Sequence, residues 1–258
     1  MPNYQQIAKD ARLRVLDLIY GAQTSHIGSN FSCIDILTVL FENIDLDKDK
    51  FMLSKGWAAA SLYYFLWRKG RITEEELNSF CKEGSKFIGL AEPITPDIMI
   101  AGGSMGLGLP GAVGLALAKK IKKEEGKVYV LMSDGEMQIG TAWESALIIK
   151  HHKLDNLVVI VDCNGLQAMG KVDDVLSMPI EIDIDGHDYG EIEKALDEHS
   201  GEDFIFAKTI KGKGWKRAEG DNIYHYKSPS YNEYIEALTE LNEGILSKSH
   251  LPELPKTI

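Results

Sequence analysis

The sequence predicts an α/β fold, a doubly wound and mostly parallel sheet with helices on both faces. Three observations carry this. Val128-Tyr129-Val130-Leu131-Met132 and Leu157-Val158-Val159-Ile160-Val161 are unbroken apolar runs, the pattern of strands covered on both faces. Helical patterns alternate with them, as parallel crossovers require. Each run ends in small polar residues and glycine, Ser133-Asp134-Gly135-Glu136 and Asp162-Cys163-Asn164-Gly165.

The elements follow in order. Residues 3–22 read as an amphipathic helix, with Ile7, Ala11, Val15, Leu18 and Ala22 on one face. Ser25-His26-Ile27-Gly28-Ser29-Asn30 breaks it, and a helix over roughly 32–42 brings Ile34, Leu37 and Phe41 into phase. Phe51-Met52-Leu53 is a short strand ending at Ser54-Lys55-Gly56. Helices are expected over 57–69 and 73–83, the second opened by a capping box, Thr73 with Glu76. Residues 84–104 are loop-rich, and Gly102, Gly103, Gly106, Gly108 and Gly111 crowd ahead of a helix running to about Lys123. A helix over about 141–152 joins the two long strands. Ile180, Ile182 and Ile184 alternate as in a strand, and a helix over 190–199 leads to the strand Phe204-Ile205-Phe206-Ala207. Lys211-Gly212-Lys213-Gly214 follows, then a last helix over about 230–246. Without repeats or low-complexity linkers, residues 1–258 read as one domain with a C-terminal appendage from about residue 215.

Composition narrows the function. The 258 residues are 44% hydrophobic, too apolar for a disordered chain. Lys and Arg number 28 against 39 Asp and Glu, a net charge of −11, which argues against nucleic acid or an anionic membrane as partner. No apolar run reaches the ~18 residues of a membrane span. Met1-Pro2-Asn3-Tyr4-Gln5-Gln6 lacks the regions of a signal peptide. Cys33, Cys81 and Cys163 form no CxxC pair, which suits a reducing cytoplasm.

In an open α/β sheet, ligands collect beyond the carboxyl ends of the strands. There stand Asp134 and Asn164, 30 residues apart, one βαβ unit. Asp134 alone would read as a helix cap and Asn164 alone as a turn residue. As a pair, a carboxylate and an amide oxygen suit a hard cation such as Mg²⁺, completed by phosphate oxygens and water. Gly135 lets a diphosphate approach the backbone. Gly106-x-Gly108-x-x-Gly111 fits the dinucleotide pattern, but Ala101-Gly102-Gly103 is a weak strand ending and the next strand-end acid, Asp134, stands 28 residues past Gly106. Tight helix–sheet packing is the better reading of those glycines.

Ser133-Asp134-Gly135-Glu136 with Asn164-Gly165 resembles the thiamine-diphosphate motif, which opens G-D-G and closes with N. Other segments resemble transketolases in the same order. Ser25-His26-Ile27-Gly28 is similar to G-H-x-G, Leu53-Ser54-Lys55-Gly56 to L-S-K-G-H, and Gly103-Ser104-Met105-Gly106-Leu107-Gly108 to G-S-L-G-Q-G. Asp185-Gly186-His187-Asp188 and Lys211-Gly212-Lys213-Gly214 match in kind, and Tyr224-His225-Tyr226-Lys227-Ser228-Pro229 resembles W-H-G-K-A-P. The match covers about residues 20–240 and is to the N-terminal half of transketolase, as in split-gene enzymes.

The resemblance implies a thiamine-diphosphate-binding fold that binds the diphosphate end of the cofactor. It implies that Asp134, Asn164 and the Leu166 carbonyl hold Mg²⁺ or another divalent cation such as Ca²⁺. Gly135 and Glu136 would sit against the diphosphate, with Gly103, Met105, Gly106 and Leu107 approaching the cofactor. His26 and His225 would serve substrate contact and proton traffic, and His187 would be structural. It further implies a separate C-terminal, pyrimidine-binding subunit carrying the glutamate that activates the cofactor, in a heterotetramer. The helix from Trp57 to Trp67, aromatic on nearly every face, reads either as contact surface for that partner or as a core helix.

Four positions leave the family pattern. Trp57 replaces the His of L-S-K-G-H, Leu90 in Gly89-Leu90-Ala91-Glu92 replaces that of G-H-P-E, Ile139 replaces the second Glu of D-G-E-x-x-E-G, and Leu107 replaces Gln. The two histidines are, by resemblance, those that bind donor hydroxyls. Their loss predicts poor transfer from ordinary sugar-phosphate ketoses and a less hydroxylated donor, such as a small 2-keto acid. Two alternatives stand beside this one. The chain could serve another thiamine enzyme, of deoxyxylulose-phosphate-synthase or dehydrogenase type, or be a non-catalytic scaffold subunit.

Overall fold

The computed structural model describes residues 2–199, 201 and 203–243. The chain opens with α1 (Tyr4–Ala22), capped by the Asn3 side chain, which accepts from the Gln6 amide. Then come α2 (Ile27–Ser32), α3 (Ile34–Asn43), β1 (Lys50–Leu53), α4 (Ala59–Arg68) and α5 (Glu74–Asn78). α6 (Gly108–Lys122) leads to β2 (Val128–Ser133), α7 (Gly140–His152) and β3 (Leu157–Cys163). A short antiparallel pair, β4 (Leu166–Gln167) and β5 (Gly170–Lys171), precedes α8 (Val172–Leu176). β6 (Ile184–Asp185), α9 (Tyr189–Glu198), β7 (Phe204–Lys208) and α10 (Tyr231–Leu241) complete the series.

Five strands form one parallel sheet in the order β1–β2–β3–β7–β6. Alternation along each strand splits the core into two. Phe51, Leu53, Leu131, Val158, Ile160 and Ile205 face the layer of α1, α3, α4, α9 and α10. Met52, Val130, Met132, Val159 and Val161 face α6 and α7. The register pairs Leu53 with Leu131, Ser133 with Asp162 and Cys163 with Lys208, so the carboxyl ends of four strands share one rim. Among the described residues, no helix is long and apolar enough to cross a membrane.

The doubly wound parallel sheet predicted from sequence is the fold observed, with local differences. The helix expected over roughly 32–42 is α3, whereas the segment read as a break, Ser25 to Asn30, holds the short helix α2. The helix expected over 73–83 ends at Asn78 although its capping box is present. Of the alternating isoleucines only Ile184 pairs; β6 is the sheet edge, and Ile182, 48% exposed, lies beyond the paired residues. In α4, residues Leu62, Tyr63, Tyr64, Phe65 and Leu66 are all buried against α1 and α3, so this is a core helix and not a contact surface. The described part of the segment after residue 214 is packed into the body. Trp215 is fully buried against Tyr224, and the Tyr234 ring of α10 stacks on Tyr20 of α1 at 4.1 Å. The rest of the expected last helix, beyond Glu243, lies outside the described residues.

Trp215 therefore tests how far this segment supports the core. Trp215→Ala is expected to cost about 3–5 kcal/mol, the usual loss for a fully buried aromatic. Denaturant unfolding measures it; a midpoint unchanged from wild type would show that the segment is peripheral.

Candidate active site

A cavity of about 400 Å³ opens at the rim where β1, β2 and β3 end. Its walls include His26, Ser54, Lys55, Trp57, Gly103, Met105, Gly135, Asn164, Leu166, Gln167 and His225. The strand ends turn sharply here, which brings their terminal side chains together.

Asp134 starts the tight turn after β2. One carboxylate oxygen accepts the Gly135 amide at 2.8 Å and the other accepts the Gly165 amide at 2.6 Å. The second bond ties Asp134 to the Asn164-Gly165 turn, so the two predicted oxygen ligands sit at one rim. The Asn164 side-chain oxygen accepts the Leu166 amide at 3.1 Å. Burial, with Asp162 nearby, pushes the Asp134 carboxyl up to about 6. A buried carboxylate in that condition lacks counter-charge, and a cation would supply it. Among the described residues no group of three or more His, Cys, Asp or Glu gathers. The available donors are carboxylate, amide and carbonyl oxygens, which fit a hard cation.

Two buried carboxylates shape the walls. Asp162, at the end of β3, accepts bonds from Lys55 and Thr209, from Ser32 at 2.6 Å and, weakly, from the Asn164 amide nitrogen at 3.4 Å. The Lys55 charge is thereby neutralised by Asp162. Glu136 accepts from Ser54, from the Gly106 amide at 3.0 Å and from the Ser133 amide at 2.8 Å. Glu136 lines the cavity, but its carboxylate braces three chain segments and has little capacity left for a ligand.

Positive charge is left over. Lys211 reaches Asn222 Oδ1 at 3.1 Å, His225 Nδ1 at 2.9 Å and, weakly, the Leu166 carbonyl at 3.5 Å. No carboxylate bonds it among the described residues. Burial, with Lys55 nearby, pulls its pKa down to about 8. The Gln167 Nε2 is buried without a hydrogen-bond partner among the described residues. A Cβ on Gly135 would stand 3.0 Å from Gln167 Oε1 and 3.3 Å from Met105 Cε, so a side chain here would crowd the space between them. An orphaned amide donor and a glycine in the wall, with a surplus positive charge buried behind it, fit an anion.

The histidines form the mouth. His26 has φ of 73°, an uncommon backbone for a residue with a side chain. Its amide bonds the His225 carbonyl at 3.1 Å, which couples the two positions. The His26 ring stacks on Trp57 with centroids 4.7 Å apart and meets His225 edge-on at 5.0 Å. Burial and the Lys211 charge hold His26 down near 4 and His225 near 3.

The predicted residues divide. His26, His225, Gly103, Met105, Gly135, Glu136, Asn164 and Leu166 line the cavity, and Asp134 lies buried behind the rim. Gly106 and Leu107 do not line it: Gly106 bonds Glu136 and Leu107 caps α6. Trp57 lines the wall, whereas Leu90 backs Gly103 and Ile139 packs on Gly106. His187 spans Asp35 at 2.7 Å and the Ile210 amide at 2.8 Å, a brace far from the mouth. Sequence reasoning gives Lys55, Lys211, Ser54 and Gln167 no role. Both lysines stand inside matched motifs, beside glycine and just past apolar strands, which is signal enough to single them out.

The two imidazoles predict an acid sensitivity. Their folded pKa values lie below the ordinary ~6.5, so between pH ~6.5 and ~4 the unfolded chain binds more protons and the fold loses stability as pH falls. Asp134, raised, acts in the opposite sense near pH 4–6. Comparison with a His26→Gln/His225→Gln double variant isolates the histidines. Wild type is expected to lose stability relative to that variant over this range, read from denaturant midpoints; parallel curves would refute it.

Comparison with known proteins agrees with the rim's architecture. A family described as "Transketolase, thiamine diphosphate binding domain" matches residues 3–240. One of the subunits of an apulose-4-phosphate transketolase from Phocaeicola vulgatus is 32% identical over 91% of this chain and 92% of its own length. Human transketolase is 32% identical over 97% of this chain and 44% of its own length. The crystal structure of Campylobacter jejuni transketolase superposes with a TM-score of 0.87 at 29% identity, covering 94% of this chain and 43% of that one. The chain thus spans under half of the human and Campylobacter transketolases and nearly all of a protein whose name makes it one subunit of an enzyme. It belongs to the transketolase family, as a member of its thiamine-diphosphate-binding domain.

Proposed function

We propose that this chain is the diphosphate-binding subunit of a two-subunit, transketolase-like transferase. The observation that carries the reading is the rim itself, where Asp134 is tied to the Asn164-Gly165 turn and the unpartnered Gln167 Nε2 stands in the cavity wall. Asp134, Asn164 and the Leu166 carbonyl are the residues for the divalent cation. The Gly135 backbone and Gln167 Nε2 are the groups for the diphosphate, with the buried Lys211 charge behind them. When bound, thiamine diphosphate supplies the electron sink for breaking a C–C bond beside a carbonyl and passing the two-carbon fragment to an aldehyde. The protein's part is to bind, orient and exclude water. Met105 and Trp57 cover the cavity with apolar surface, and His26 and His225 present polar groups at its mouth.

The other half of the site is assigned to a pyrimidine-binding partner of roughly similar size, two copies of each chain making a heterotetramer. Extent supports this, since the chain covers 44% of human transketolase and 92% of the Phocaeicola relative, itself named as one part of a transketolase. Trp143, Leu147 and Ile148 on α7, with Val175 and Leu176 on α8, are exposed apolar side chains and suit such a contact.

The donor pocket is the atypical part. Trp57, stacked on His26, offers no hydrogen-bond partner through its ring face where the family has an imidazole. A donor hydroxyl buried there unpaired would cost ~1–3 kcal/mol. A less hydroxylated donor fits that wall better than an ordinary ketose phosphate. A second reading rests on the Phocaeicola relative, whose name specifies apulose 4-phosphate; a donor of that kind belongs in the same assay.

Calorimetric titration with thiamine diphosphate and Mg²⁺, with and without the partner, tests the cofactor reading. Saturable, Mg²⁺-dependent binding is expected, and Asp134→Ala should weaken it by roughly tenfold or more, ~1.4 kcal/mol. Binding in neither case would favour the scaffold reading. With the partner present, turnover should be poor on xylulose 5-phosphate compared with pyruvate or apulose 4-phosphate. Xylulose 5-phosphate as the best donor would refute the pocket argument.

A further inference from the structure

We propose that Lys211 is a positioning residue that acts through His225, fixing its imidazole as the Nε2–H tautomer so that it meets the cavity as a hydrogen-bond donor. The argument begins with what an ammonium can do. It has donors and no acceptor. The Lys211 Nζ stands 2.9 Å from His225 Nδ1, so Nδ1 must be the acceptor and the single ring proton of the neutral imidazole sits on Nε2. The ammonium is itself held, at 3.1 Å by Asn222 Oδ1, and its side chain is 1% exposed. Gly28 lets the stem pack close against its backbone, where an added Cβ would lie 3.1 Å from Lys211 Cγ. The stem is thus held by packing and the head by hydrogen bonds, and the donor geometry is fixed.

The far nitrogen of His225 is left to the cavity. Nε2 has no protein hydrogen-bond partner among the described residues, and His225 lines the wall. A neutral Nε2–H there can donate to an anionic oxygen, and it cannot accept a proton through the nitrogen that already carries one. His225 therefore serves as a preset donor of the kind that stabilises negative charge, and not as a base. The value of that donor to catalysis rests on the thiamine-diphosphate reading; the tautomer itself does not.

The molecule carries its own reference. His187 is locked in the opposite form, because its Nε2 accepts the Ile210 amide at 2.8 Å and its Nδ1 donates to Asp35 at 2.7 Å. Long-range ¹H–¹⁵N correlation spectra of the imidazoles, recorded at neutral pH on the full chain without cofactor, report both. The expected spectrum shows His225 with Nδ1 unprotonated and Nε2 protonated, and His187 reversed. Lys211→Met should move the His225 nitrogens toward the averaged position of a free imidazole while His187 stays put, which certifies the fold. Lys211→Arg, which again offers only donors, should restore the wild-type pattern. A wild-type His225 protonated on Nδ1 would overturn the proposal without recourse to any variant, as would an unchanged His225 in K211M with His187 intact. A chain that shows the expected tautomers yet binds no thiamine diphosphate would support the proposal while removing the cofactor reading.

Discussion

A single buried carboxylate organises the rim. Asp162 stands at the end of the central strand β3 and gathers Lys55 from the end of β1, Ser32 from α2 and Thr209 from the end of β7. Burying a charge is costly unless it is paired and hydrogen-bonded. Here the pairing with Lys55 and the hydroxyl donors meet that condition, and they keep Asp162 ionised despite burial. Three separate chain segments are thereby held against β3 at the level where ligands bind. Asp162 adds to the Asp134 bond that fixes the Asn164 turn and to the Thr209 backbone bond that fixes the loop carrying Lys211.

Charge is partitioned by the same rule. Lys55 is neutralised within the wall, so its ammonium is unavailable to an incoming anion. Lys211 is not, and its unbalanced charge adds to burial in depressing both nearby histidines. Asp134 has the reverse problem, an incompletely compensated negative charge. An anion bridged by a cation would answer both at once, the anion beside Lys211 and the cation beside Asp134.

Much of the fold can be read directly. The long apolar runs of β2 and β3 and the helices beside them declare a parallel sheet, because strands covered on both faces leave little else to choose. The pair of Asp134 and Asn164 is legible for the same reason, since both terminate unmistakable strands. What escapes is tertiary. The aromatic helix α4 reads as surface or core on equal terms, and only its packing against α1 and α3 decides. Lys55 and Lys211 have identical chemistry in sequence, and only the position of Asp162 leaves one neutralised and the other without a carboxylate among the described residues. Glu136 stands in a motif that meets cofactor, yet three segments converge on its carboxylate.

The sheet's two borders have a consequence for the chain's encounters with other chains. β1 spans Lys50–Leu53 and β6 only Ile184–Asp185, so each margin offers few unpaired backbone groups. Long exposed margins are templates on which stray chains add and fibrils grow. These short ones give an intruding strand little to zip onto, which guards the polypeptide from edge-to-edge aggregation.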